Sequence, residues 1–149
     1  MLDLLRAKGN EVLDNLSISK FAKIFVQLLK LDNLKFDGQG NPIRYWPTAM
    51  QDLISLPEYT SVLEHQKLYT RFIIKTLQIF DEEVVERSEQ KKVADMQLSA
   101  RIKDMLRVDQ IPPVVTLLSQ ILLNSQVFET KIIKGALKAL ATLIDWNEI

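Results

Sequence analysis

The sequence predicts an all-α fold, and three observations carry that expectation. Apolar residues recur at i, i+3, i+4 and i+7 along almost the whole chain, the spacing of one helix face. No segment alternates polar and apolar residues over enough positions to specify a half-buried strand. The residues that interrupt helices gather at a few points, around 37–42, 57, 109–113 and 124–126.

The elements follow in order. Ile18, Phe21, Ala22, Phe25, Leu28 and Leu29 form one stripe, and Ser17 before it suits an N-cap. Asp37-Gly38-Gln39-Gly40-Asn41-Pro42 then allows only a loop. Pro47 fits the first turn of a second, short helix, with Met50, Leu53 and Ile54 on its apolar face and Pro57 ending it. Ser61-Val62-Leu63-Glu64 reads as a capping box opening a third helix. Tyr69, Phe72, Ile73, Leu77, Phe80 and Val84 line that helix over about four turns. A charged connector, 86–92, follows. Leu98, Ile102, Met105 and Leu106 mark a fourth helix with a thinner stripe. Asp109 to Pro113 is a corner, because Pro112-Pro113 can open a helix but not continue one. Val114, Leu117, Leu118, Ile121 and Leu122 mark the fifth helix; Ile133, Ala136, Leu137, Leu140 and Ile144 mark the sixth.

About six helices with mostly short links make antiparallel neighbours. Helix pairs of roughly 40–47 residues are the unit of HEAT-type solenoids. A closed helical bundle shares the same periodicity. The solenoid is favoured because apolar residues at both ends, Leu2, Leu4 and Leu5 and then Trp146 and Ile149, lack the polar caps that close an array. The expected architecture is one HEAT-like α-solenoid segment over residues 1–149, about three antiparallel helix pairs, interrupted by loop 32–45 and connector 86–92.

Composition narrows the function. With 19 Lys+Arg against 19 Asp+Glu, the chain carries no overall field for nucleic acid or anionic lipid, so charge-led binding needs a local patch. No cysteine is present, which removes disulfides, thiolate zinc sites and cysteine nucleophiles and fits a reducing compartment. The start carries an acid and only a short apolar run, unlike a secretory signal. The apolar window Pro112–Leu123 is broken by Thr116, Ser119 and Gln120 and falls short of the roughly 20 residues a membrane span needs. A soluble intracellular protein is expected.

Candidate chemistry is sparse. Asp81, Glu82, Glu83 and Glu86 are dense, but they share one helix and point in different directions, as a solvated helix end does. His65 is the sole histidine and has no ligand partners at metal-site spacing. The loop from Asp37 to Asn41 lacks a calcium loop's twelfth-position Glu, since position 48 is Thr48. No catalytic, metal or cofactor site is expected, and the chain is read as non-enzymatic. The richest basic stretch is Lys91, Lys92, Arg101, Lys103 and Arg107. Lys103 and Arg107 lie at i and i+4 on one helix face, and Arg101 points elsewhere. That face could meet phosphate or an acidic partner; a solvated surface mixed with Asp95, Asp104 and Asp109 is the plainer reading of the charge pattern.

From Lys20 onward the order of motifs resembles the exportin-1-like segment of the importin-β (karyopherin) superfamily of nuclear transport receptors. The resemblance runs through Phe21-Ala22-Lys23-Ile24-Phe25, Trp46-Pro47 with Met50-Gln51-Asp52-Leu53, and Leu68-Tyr69-Thr70-Arg71-Phe72. It continues in Phe80-Asp81-Glu82-Glu83-Val84, Ala100-Arg101-Ile102-Lys103-Asp104 and Asp109-Gln110-Ile111-Pro112, and ends in Leu137-Lys138-Ala139-Leu140 and Ile144-Asp145-Trp146. Within the superfamily, Ile102-Lys103-Asp104 with Arg107, Asp81-Glu82-Glu83-Val84 and Ile144-Asp145-Trp146 are most similar to the tRNA exportins (exportin-T). Two features depart from the pattern. Thr48-Ala49 stands where relatives carry bulky apolar residues, and the loop from Asp32 to Arg44 is extended.

The resemblance implies a carrier shuttling between nucleus and cytoplasm. Its partners would be the small GTPase Ran in its GTP form, tRNA and nuclear pore proteins, without membrane insertion. It also implies that this chain is a slice near the amino-terminal end of a much longer receptor. An exportin for another cargo, a protein-binding HEAT scaffold and a small helical enzyme remain the other readings of the same helices.

Overall fold

The computed structural model describes residues 15–32, 35–41, 43–85 and 93–147. Among these residues there are six α-helices and no strand: α1 (Asn15–Asp32), α2 (Ala49–Ile54), α3 (Leu63–Phe80), α4 (Val93–Asp109), α5 (Ile111–Leu123) and α6 (Thr130–Asn147). The all-α HEAT-like expectation holds. A 3-10 turn, Leu56–Tyr59, follows α2, and α3 runs on into a π-helical turn, Asp81–Val85. Connector 86–92 and residues 1–14 lie outside the described residues.

Helix α3 is the centre of the molecule. It packs against α1 on one flank and α6 on the other, with the 3-10 turn beneath. Three contact sides explain its sequence. Leu68, Tyr69, Phe72, Ile73, Ile74, Leu77, Ile79 and Phe80 are all buried, far more than one amphipathic stripe. Thr70 and Thr76 are buried too, and each donates its hydroxyl to the carbonyl four residues back, Gln66 at 2.7 Å and Phe72 at 2.8 Å.

Pairings along the helices fix their directions. Ile18 and Ser19, near the start of α1, border Arg71 and Ile74, while Gln27 and Lys30, near its end, reach Glu83 in the π turn. Gly135 of α6 lies against Ile74, and Ala139 and Thr142 lie beside Leu77 and Phe80. Helices α1, α3 and α6 therefore run parallel, side by side, as one layer. The second layer holds α2 and α5, which touch each other and run antiparallel to α3 and α6. The antiparallel pair α5–α6 packs directly, while α2 is joined to α3 through the 3-10 turn.

Both outer flanks of the parallel layer carry a second apolar stripe. On α1, Ile24, Leu28 and Leu31 are exposed at i, i+4 and i+7, although Leu28 belongs to the stripe read as core. On α6, Leu137 and Ile144 are exposed, while Ile132, Ala136, Ala139 and Leu143 face inward. The sequence reading of α6 mixed these two stripes. A helix with apolar residues on two sides is built to be sandwiched, as each member of a stacked array is.

One local expectation is corrected. Ser61 and Glu64 do not form a capping box: Val62 is the N-cap residue, with no side-chain cap, and Glu64 turns out to Lys67 at 3.2 Å. The Thr60 hydroxyl instead accepts from the Val62 N–H at 3.1 Å. The corner at Pro112-Pro113 forms as expected, with only Gln110 between α4 and α5. The two prolines occupy the first turn of α5, where their missing N–H groups cost nothing.

Candidate functional site

The extended loop is locked by carboxylates. Asp32, closing α1, accepts from the backbone N–H of Tyr45 at 2.7 Å and of Trp46 at 3.1 Å. Trp46 packs edge-on against Phe25, ring centroids 5.4 Å apart, and donates its indole N–H to Asp52 at 2.7 Å. The Trp-Pro and Asp-Leu pair read from the sequence is thus one clamp holding α2 to α1. Thr48 spends its hydroxyl on the same Asp52 carboxylate, at 3.0 Å.

Asp37 serves its own loop. One carboxylate oxygen accepts from the N–H groups of Gln39 and Asn41, each at 2.8 Å. These bonds, that from Asn41 foremost, hold its pKa below the ordinary carboxylate value. Gly40 has φ of +83°, the left-handed conformation that closes this turn. No group of acids and histidines suited to a metal is present among the described residues. His65 meets the Thr60 hydroxyl at 3.4 Å, a structural contact. No described helix is long and apolar enough to cross a membrane.

Of the five basic residues singled out from the sequence, Arg101, Lys103 and Arg107 lie on α4. Lys91 and Lys92 lie outside the described residues. Arg101 stacks its guanidinium over the Phe36 ring, 4.4 Å from the centroid, and so pins the extended loop to α4. Arg107 pairs with Asp104, one turn back, at 3.9 Å, and Lys103 is half-buried.

The structure gathers basic side chains elsewhere. Each helix of the parallel layer holds three: Lys20, Lys23 and Lys30 on α1; Lys67, Arg71 and Lys75 on α3; Lys131, Lys134 and Lys138 on α6. Each holds one acid, Asp32, Glu64 and Asp145. Nine basic against three acidic groups give this layer a formal +6, in a chain whose total is zero. The positions are regular. Lys67, Arg71 and Lys75 recur every four residues, about 6 Å apart, and with Gln78 and Glu82 they form the one stripe of α3 that its neighbours leave open. Where α1, α3 and α6 meet, Ser19, Arg71, Lys75 and Lys131, with the single acid Glu129, border a cleft of about 240 Å³.

The open face is polarised along its length. The first turns of α1 and α6 lie beside the middle of α3, at Arg71 to Gln78. The π turn at the far end of α3 carries Asp81, Glu82 and Glu83; Glu83 accepts from Gln27 and sits 3.8 Å from Lys30. Sequence reasoning missed this face because it sought basic runs along the chain. The available signal was the one-turn spacing of Lys and Arg within three separate helices.

Compared with known families, residues 14–149 match the family described as Exportin 1-like protein. No curated protein and no solved structure matches the chain.

Proposed function

The chain belongs to the Exportin 1-like family, and from that premise we propose that it is a segment of a nuclear export receptor that carries tRNA outward together with Ran in its GTP form. The family match over residues 14–149 carries the export reading. The apolar stripes on both flanks of the parallel layer support a place within a longer stack of helix pairs. The tRNA cargo rests on the motifs of α4 and of the ends of α3 and α6. The mechanism is a reciprocal linkage: Ran and cargo favour the same curvature of the stack, so each raises the other's affinity by the same factor. Such a receptor acts in both nucleus and cytoplasm, touches pore proteins in passage, and is not an enzyme.

Binding of labelled tRNA to the receptor that carries this chain, with and without GTP-loaded Ran, tests the reading. Cooperative binding with a steep fall in affinity as salt rises is the expected result. Equal tRNA affinity in both conditions would remove the Ran linkage. No tRNA binding, with retained Ran-dependent capture of a protein cargo, would make it an exportin for another cargo.

A further inference from the structure

We propose that the open face of the parallel layer, at the end where Arg71, Lys75 and Lys131 border one cleft, is a phosphate-backbone site for RNA. The site rests on the tRNA reading and gives the cargo a place on this chain.

Three observations single out RNA from an acidic protein surface. The first is composition. The face consists of Ser19, Lys23, Gln27 and Lys30 on α1, of Lys67, Arg71, Lys75 and Gln78 on α3, and of the lysines of α6. Leu16, at the start of α1, is its exposed aliphatic group; the rest is polar and mainly lysine, a residue depleted at protein–protein interfaces, whose centres are apolar. The second is regularity on α3: Lys67, Arg71 and Lys75 recur about 6 Å apart, Lys67 bridged to Glu64, and a row of like charges suits a polymer carrying one charge per unit better than a protein surface of mixed sign. The third is polarity. Asp81, Glu82 and Glu83 repel phosphate from the end opposite the basic cleft. A phosphate strand is therefore held across the basic end of the layer and kept off the π turn. Lysines as point charges supply affinity and register, with no reading of bases.

The test measures labelled tRNA binding to the 149-residue chain by fluorescence anisotropy at several salt concentrations. Arg71→Gln, Lys75→Gln and Lys131→Gln are combined, and circular dichroism checks folding. The triple variant is expected to lose about tenfold or more in affinity near 0.1 M salt and to flatten the log–log salt slope by about 2–3. Arg71→Lys alone keeps the slope, since the charge remains. Glu82→Gln, at the repelling end, raises affinity. Lys103→Gln with Arg107→Gln on α4 leaves both quantities unchanged. Tight tRNA binding by a folded triple variant, with its slope intact, would overturn this site and leave the tRNA reading standing. Binding of polyglutamate but not tRNA, abolished in the triple variant, would overturn it in favour of an acidic protein partner. Absence of tRNA binding to both this chain and its parent receptor would remove the cargo reading and the site together.

Discussion

Replacing Gly135 by Ala probes the contact that sets α6 beside α3. In a helix interior Ala is favoured over Gly by about 0.8–1 kcal/mol, so the substitution alone should stabilise α6. At this position the new Cβ would stand 2.7 Å from Cγ2 of Ile74, closer than side chains pack. That methyl is on a β-branched residue whose χ1 is stiff, and Ile74 is 6% exposed, so it has little room to turn. The helices must separate instead, an overpacking cost of typically about 1–3 kcal/mol. The balance is a net loss of about 0–2 kcal/mol, read as a lower urea midpoint. Ile74→Leu removes the offending branch at nearly constant volume and should cost less than about 1.5 kcal/mol alone. In that background Gly135→Ala should turn stabilising, by up to about 1 kcal/mol. The coupling between the two positions, about 1–3 kcal/mol from a double-mutant cycle, is the decisive quantity. Gly135→Ala that stabilises the parent chain by its full helix propensity, with no coupling to position 74, would refute the close contact of α6 with α3 at this position.

Other outcomes follow from named contacts. Asp32→Ala strips the acceptor from the Tyr45 and Trp46 N–H groups and should cost about 2 kcal/mol, with a shift in Trp46 fluorescence as the loop loosens; Asp32→Asn, which keeps one acceptor oxygen, should cost less. Phe72→Ala empties a fully buried site at the centre of α3 and should cost about 3–5 kcal/mol in urea unfolding. Asp37 gives a pH signature. Its folded pKa lies below the ordinary 3.8, so its support of the loop is present above that value and disappears as pH falls through the folded pKa. The protection of the Gln39 and Asn41 amides against exchange, relative to an unstructured peptide at the same pH, should fall in that acid range, and Asp37→Ala should lack that protection at every pH.

The fold was legible wherever one residue pattern had one physical consequence. The stripe Tyr69, Phe72, Ile73, Leu77, Phe80 and Val84 is buried throughout, since α3 is covered on every side those residues reach. Pro112-Pro113 opened a helix because proline fits only the first turn. Patterns with two outcomes misled. Ile133, Ala136, Leu137, Leu140 and Ile144 belong to two different faces of α6, and periodicity does not say which one a neighbour will cover. Ser61 and Glu64 had cap spacing, yet Thr60 one residue earlier took the Val62 N–H. The π turn after Phe80 left no mark in composition. The open face was least legible, because its charges lie far apart in sequence and meet only when three helices align in one direction.

That alignment is the claim on which the rest stands, and the absence of native cysteine makes it directly measurable. Pairs of spin labels on Lys20→Cys with Lys131→Cys, and on Lys20→Cys with Asp145→Cys, report the distances from one end of α1 to the two ends of α6. Fourteen helical residues span about 21 Å, so parallel helices make the Lys131 pair the shorter, by roughly 10 Å. A shorter distance to position 145 would mean that α1 and α6 run in opposite directions, and both the layer and its charged face would fall.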